Sequence, residues 1–383
     1  MHIAFLTPEY PHKKVTHAAG IGTSIKNLVV TLVKNKIAVT VVVYGQKASE
    51  IFEEDGVTIH LLKNQKYPFL GWYWHRKYIQ NYLNQLVQKE AIDVIEAPDW
   101  TGITAFMRLK VPLVIRFHGS DTYFCHLENR KQKRKNFWFE SQAVQRAQAF
   151  IAPTDYAGKV SKELFGIQNK KIQTIHYGLV LEEFNNPNPT QFEDGLILYI
   201  GTIIRKKGVF ELPDILKKVA AQYPDAQLIL IGSDSPDIET GKPSTWQLLE
   251  QDFKTAEVEK VTYLGKIPYQ MVQKYMKQAQ VCVFPSFAET LGMVTIEAMA
   301  LQKPVVNTNI GWAQELLEDG ISGFLVDPKH HSYFSNRIIT LLKDTNLCLT
   351  MGKNARQRVD AVFDIEKIVH QNIVFYQSLR DKL

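Results

Sequence analysis

This chain reads as an α/β protein built from two doubly wound parallel sheets, and three observations carry that reading. Its 383 residues exceed what one ordinary hydrophobic core takes up, so two domains are expected. Short apolar runs alternate with helical patterns along the whole length, as parallel strands joined by crossover helices do. The alternation also comes as two series, parted by the polar, proline-bearing stretch Asn185-Asn186-Pro187-Asn188-Pro189-Thr190.

In the first series the apolar runs predict strands at 2–7, 38–44, 57–61, 94–97, 113–117 and 149–153. Between the first two, residues 23–34 carry Ile25, Leu28, Val29 and Leu32 at the spacing of an amphipathic crossover helix. The second series predicts strands at 196–201, 227–232, 261–265, 281–284 and 304–307. Ile365, Ile368, Val369, Ile373, Tyr376 and Leu379 predict a closing helix over 364–383. Doubly wound sheets bind ligands beyond the carboxyl ends of their strands, so the turns there hold the candidate site residues.

Composition narrows the class. A 45% hydrophobic and 22% charged content is that of a globular protein, and no apolar run approaches a bilayer's thickness. The N-terminus runs straight into an apolar strand, which predicts no signal peptide and a cytoplasmic location. Cys125, Cys282 and Cys348 are too few and scattered for a disulfide framework or a zinc site. The net charge of +6 is uneven: residues 1–184 hold 24 basic and 16 acidic residues, the remainder 21 and 23. The excess peaks at Arg130-Lys131-Gln132-Lys133-Arg134-Lys135, just before Phe137-Trp138-Phe139. Such a segment is either a solvated helix face or a peripheral contact with an anionic membrane over 130–139, which would lie at the membrane's inner face. No recognised nucleic-acid module accompanies the charge, so nucleic acid is not an expected partner.

The most informative stretch is Pro285 to Ala300. Glu289 would sit in the turn after the strand 281–284, and Glu297 about two turns into the helix that follows. A helix N-terminus offers unpaired N–H groups and a positive dipole end to phosphate or sugar hydroxyls. Glutamates in first turns also serve simply to complement that dipole. Phe287-Ala288-Glu289-Thr290-Leu291-Gly292, the seven residues between the glutamates, and Glu297-Ala298-Met299-Ala300 decide between the two. Together they resemble the Glu-x7-Glu signature of glycosyltransferase family 4. Gln302-Lys303-Pro304-Val305-Val306, Glu315 to Gly320 and Gly323 to Pro328 keep the family's downstream spacing, and Ile175 to Phe184 resembles its exit from the first domain.

The resemblance implies the GT-B architecture: two facing Rossmann-like domains whose last helix crosses back to the first. It divides the chain into an acceptor-side domain 1–184, a nucleotide-sugar-binding domain 190–363 and the crossing helix 364–383. It implies retaining transfer of a sugar from a nucleoside diphosphate sugar, with a UDP-linked donor favoured over a GDP-linked one, to a carbohydrate, lipid-linked or small-molecule hydroxyl acceptor. Glu289 would hold hydroxyls of the donor sugar, Thr290, Leu291, Gly292 and Met293 would offer backbone amides, and Glu297 would hold the ribose. Gly20 and Gly22 resemble the glycine loop facing donor and acceptor, with Ala19 where a glycine is common. Lys207 before Gly208 matches the diphosphate-binding lysine. Thr202 stands where the family often has arginine, which leaves Arg205 to supply a guanidinium. His118 resembles the histidine that reaches the donor sugar, and Ile267 lies in the nucleobase-facing loop. Glu9, Tyr10, Asp99, Trp100 and Asp121 are acceptor-side candidates, with capping and loop packing as their other reading. No Asp-x-Asp cluster ends a strand and Asp234 with Asp237 has the wrong spacing, so neither a metal nor another cofactor is expected. Two alternatives stay open: a partner subunit that binds nucleotide sugar without chemistry, and a GT-B sugar-nucleotide epimerase.

Overall fold

The computed structural model describes residues 1–16 and 20–380. Ala18 and Ala19 lie outside them. The chain divides into two compact units: Met1–Val180 with Asp364–Leu383, and Leu181–Phe363. The first seam therefore falls at 180 rather than 184, and the closing helix belongs to the first unit.

The first unit holds an eight-stranded sheet: β1 (His2–Thr7), β2 (Ala38–Gln46), β3 (Glu50–Glu54), β4 (Val57–Lys63), β5 (Val94–Pro98), β6 (Leu113–Arg116), β7 (Ala149–Ala152) and β8 (Ile172–Thr174). Their spatial order is β3-β4-β2-β1-β5-β6-β7-β8, parallel except for the antiparallel pair β3–β4. β1 and β5 are neighbours from which the chain winds outward in opposite directions, which makes their carboxyl ends a switch point. Every residue of β5, β6 and β7 is buried, as expected for parallel strands covered by helices on both faces. The sequence reading has no counterpart to β3 or β8. β3 is a charged, largely exposed edge strand, and β8 is three residues long, so neither shows an apolar run.

The second unit holds a six-stranded, all-parallel sheet: β9 (Leu196–Ile200), β10 (Gln227–Ile231), β11 (Val261–Tyr263), β12 (Val281–Phe284), β13 (Val305–Thr308) and β14 (Phe324–Val326), in the order β11-β10-β9-β12-β13-β14. Its switch point lies between β9 and β12. β14, another three-residue strand, was also not expected. Cys125, Cys282 and Cys348 are buried free thiols. Among the described residues no helix is long and apolar enough to cross a membrane.

The closing helix Ile365–Arg380 packs on the helix Gly20–Lys34 and on β5 within the first unit. Ile365, Ile368, Val369, Phe375 and Tyr376 enter the core there. A buried polar network fastens it further. Arg116 at the end of β6 donates to both carboxylate oxygens of Glu96 on β5, at 2.7 and 3.0 Å, and to Asn372 Oδ1 at 2.6 Å. The Tyr376 hydroxyl donates to Glu96 Oε2 at 2.5 Å. Glu96 and Arg116 are almost wholly out of solvent, so each charge depends on the other. Replacing Arg116 with alanine leaves Glu96 uncompensated and should destabilise the first unit by about 3–5 kcal/mol. Thermal or urea denaturation of the variant measures this, and a loss too small to detect would mean that the pair is not what fastens the helix.

Candidate active site

Two loops meet at the switch point of the second sheet, 201–208 after β9 and 285–292 after β12. Gly208 has φ 70°, and a Cβ there would collide with the carbonyl oxygen of Pro285. Only glycine allows this approach. The amides of Phe287 and Ala288 then donate to the Lys206 carbonyl at 2.8 and 3.3 Å. Held by these contacts, the Lys207 ammonium pairs with the Glu289 carboxylate, and both groups are largely shielded from solvent. The sequence motif thus brings its lysine and its first glutamate together. Thr202 is half-buried, and its carbonyl accepts from the Tyr199 hydroxyl at 3.3 Å.

The helix Met293–Ala300 starts after Gly292, so Glu297 lies just over one turn in, not two. Thr290 and Leu291 are buried, while Gly292 and Met293 are half-buried at the helix N-terminus, where first-turn amides have no partner inside the helix. Glu297 is partly buried and accepts a hydrogen bond from the Tyr269 hydroxyl. Burial pushes its carboxyl up to about 7. Ile267 is half-buried in the loop after β11, two residues before Tyr269. The Tyr263 hydroxyl and the Gly265 carbonyl tie that loop to Gly232, at 2.8 and 3.0 Å. Tyr269 itself had no signal in the spacing of the motif.

Arg205 departs from expectation. Its guanidinium donates to both oxygens of buried Asp237, at 2.5 and 3.1 Å, pairs with Glu239 at 3.0 Å and lies over the Phe210 ring. The Arg205 bond is the main reason that the Asp237 carboxyl sits well below its usual range. The sequence shows both residues but not that they meet across 32 positions. Arg205 thus does not stand as a free replacement for an arginine at Thr202.

In the first unit His118 follows β6 by two residues and is nearly buried. Burial, then the charge of Arg116, lowers its pKa to about 3, so the imidazole is neutral at physiological pH. Its Nδ1 lies 2.6 Å from the Tyr177 hydroxyl, and the two rings stack. Its backbone N–H donates to Asp99 Oδ1 at 2.9 Å. Tyr177 is a further partner that the motif did not reveal.

Most acceptor-side candidates prove to be supports. Glu9 accepts from the Gly22 amide at 2.7 Å and so caps the helix Gly20–Lys34. That helix begins at Gly20, three residues earlier than expected, so both glycines belong to its first turn rather than to a loop. Gly20 is exposed, and a Cβ on Gly22 would come within 3.2 Å of the Tyr10 backbone. Tyr10 is a fully buried core residue. Asp99 is buried behind His118, and Asp121 accepts from Asn136 Nδ2 at 2.9 Å at the start of its helix. Trp100 alone is exposed. These candidates lie near the ends of strands, and local capping or packing occupies the side chains other than Trp100.

Family models match nearly the whole chain: Glycosyltransferase Family 4 over residues 18–183 and Glycosyl transferases group 1 over residues 182–358. The chain belongs to glycosyltransferase family 4. It is 23% identical over 374 residues to the N-acetyl-alpha-D-glucosaminyl L-malate synthase of Bacillus anthracis, covering 88% of this chain and 94% of that one. It is likewise 23% identical, over 98% of both chains, to an uncharacterized glycosyltransferase of Methanocaldococcus jannaschii. Among solved structures, the sucrose-phosphate synthase of Thermosynechococcus elongatus superposes over the full length of both chains, with a TM-score of 0.80 at 20% identity. Anabaena HepE in complex with UDP-glucose covers 99% of this chain and all of its own, with a TM-score of 0.75 at 20% identity. These likenesses establish a GT-B fold, and this glycosyltransferase carries it in two parallel-sheet units.

The Asp99 carboxyl of this glycosyltransferase is pushed up to about 7 by burial. A raised carboxyl keeps its proton in the folded state where the unfolded chain has lost it. The associated stability is complete below about pH 4 and disappears as pH rises through about 7. Urea denaturation from pH 4 to 8 should show this fall in the wild type and a flatter profile in Asp99→Asn. Parallel profiles would show that Asp99 does not titrate there.

Proposed function

We propose that this glycosyltransferase transfers a sugar from a nucleoside diphosphate sugar, UDP-linked in preference to GDP-linked, to a hydroxyl acceptor with retention of anomeric configuration. The observation that carries the reading is the Lys207–Glu289 pair at the β9/β12 switch point, ahead of the helix Met293–Ala300 that carries Glu297. Lys207 is then the cation for the donor diphosphate, and Glu289, parted from it, receives hydroxyls of the transferring sugar. First-turn amides of the helix Met293–Ala300 add positive potential. Glu297 accepts from the ribose hydroxyls, and the loop holding Ile267 meets the nucleobase. His118 of the first unit, neutral and buried, is not a general base in this reading. Arg205 braces the 201–208 loop against Asp237 instead of touching phosphate. That UDP and UDP-glucose are named in solved complexes of HepE supports a uridine donor here.

The acceptor oxygen would attack the anomeric carbon on the face that the diphosphate leaves. The new C–O bond forms as the bond to phosphate oxygen breaks, and the acceptor proton passes to the departing phosphate. The protein's contribution is positioning and stabilisation of the leaving charge. The reaction needs no divalent cation in this reading, since Asp237 is engaged by Arg205 and Asp234 Oδ1 accepts from the Ser235 and Trp246 amides. A lipid-linked acceptor suits the basic segment 130–139.

Two measurements test the site. Replacing Lys207 with alanine removes a charge-assisted contact of about 1.5–3 kcal/mol, so UDP affinity by calorimetry should fall roughly 10- to 150-fold. Unchanged affinity would remove Lys207 from the diphosphate site. Glu297 accepts hydroxyls best when ionised, so UDP affinity should rise with pH through about 7, more steeply than in Glu297→Gln. Identical pH profiles would refute the ribose contact, while NMR of the product's anomeric proton and turnover in EDTA check retention and metal independence.

A further inference from the structure

The basic-aromatic segment expected from the sequence is only one part of a larger surface. The exposed turn Phe69-Leu70 leads into the helix Gly71–Glu90, whose first turn carries Trp72, Tyr73 and Trp74. Phe69 is 73% exposed and Trp74 49%. Rings then follow one another at contact distance: Trp74 to Tyr73 at 5.4 Å, Tyr73 to Phe106 at 6.4 Å, and Phe106 to Trp138 at 5.0 Å. Trp138, 45% exposed, lies on the helix Arg134–Arg146 with exposed Phe137 beside it. Three sequence segments, around Trp74, Phe106 and Trp138, thus form one aromatic array. Leu70 and Phe106 both have positive φ, 48° and 63°, a conformation unfavourable for residues with bulky side chains.

The segments that form this array carry charge of one sign apart from buried Glu140. No aspartate or glutamate occurs between Asp55 and Glu90, between Asp99 and Asp121, or between Glu128 and Glu140. Glu140 is buried and turned to Thr122. Lys131, Lys133, Arg134 and Lys135 are exposed at the start of the Trp138 helix, and none pairs with a carboxylate among the described residues. Lys77 lies over the Tyr73 ring, and Arg146 over Phe106. Exposed aromatic side chains beside cations that no carboxylate among the described residues neutralises suit the boundary between acyl chains and anionic headgroups. A second copy of this chain would bring the same positive charge to the contact and be repelled.

We propose that this face of the first unit is a membrane-docking surface: Phe69, Leu70, Trp74 and Trp138 enter the interface of an anionic bilayer, and the cations of 131–135 with Lys77 and Arg146 meet its headgroups. Vesicle binding is measured without donor or acceptor, so it and catalysis can fail separately.

Flotation of the full chain with vesicles tests it, without donor or acceptor. Binding is expected to phosphatidylcholine vesicles containing about 30% phosphatidylglycerol, and not to pure phosphatidylcholine. Salt at about 0.5 M should release the protein, because it screens the headgroup attraction. Tryptophan emission should shift to the blue on binding. Changing Lys131, Lys133, Arg134 and Lys135 together to glutamine should lower the partition coefficient about 600-fold, since each cation near such a surface contributes about fivefold. Phe69→Ser with Trp74→Ser should weaken binding and reduce the blue shift. These side chains are exposed, so unchanged melting temperatures serve as the folding control. The proposal is overturned if the wild type does not float with anionic vesicles at low salt, or if neither set of substitutions weakens flotation. It is equally overturned if the same substitutions abolish self-association or heparin binding while leaving vesicle binding intact.

Discussion

A parallel strand can be followed by another only through a crossover, so all βα turns of one sheet fall on the same edge. Both units are organised by that constraint. In the second unit it brings the loops after β9, β11 and β12, which lie far apart in sequence, to one end of the sheet. The reversal of winding between β9 and β12 then separates the crossovers and leaves the two loop backbones free to meet. The Lys207–Glu289 pair is a consequence of that topology. The contact between Gly208 and Pro285, which no other residue type would permit, sets its distance.

The first unit applies the same topology to a different electrostatic problem. Glu96 and Arg116 occupy the ends of neighbouring strands, where solvent would ordinarily screen them, but the closing helix covers both. Charges in such surroundings need full hydrogen bonding, and Asn372 and Tyr376 provide it. The buried Arg116 cation in turn helps to hold His118 neutral two residues further on. The chain's last helix thus bears on the protonation of a candidate site residue more than 240 positions earlier, since Asn372 stands about 250 residues from His118.

Much of this organisation was legible before any coordinates. Buried strands such as β1 and β12 were bounded correctly because burial on both faces demands unbroken runs of apolar residues. The edge strand β3 was not, because an exposed strand imposes no such demand; β8 and β14 were missed too, although β11, equally short, was expected. Among the candidate site residues, Lys207, Glu289 and Glu297 were picked out by the family motifs that their segments resemble. The supporting partners were not. Asp237 was considered only as a rejected metal ligand, although it holds Arg205, and Tyr177 and Tyr269 lie in segments where nothing in their neighbours' identity points to His118 or Glu297.

Sequence alone indicated the fold class and the presence of two sheets through periodicity and turn composition, which neighbouring residues specify among themselves, and the family through the motifs that it resembles. Folding decided which charges meet. Arg205 turned to Asp237 instead of replacing an arginine at Thr202, and Glu9, Tyr10 and Asp99 became caps or core where strand-end position alone had suggested contact with an acceptor. It also joined the aromatic residues around Trp74 to those around Trp138. Direction, burial and partnership of a side chain are set by groups distant along the chain, and only their assembly in space creates the low-dielectric surroundings that shift His118, Asp99 and Glu297.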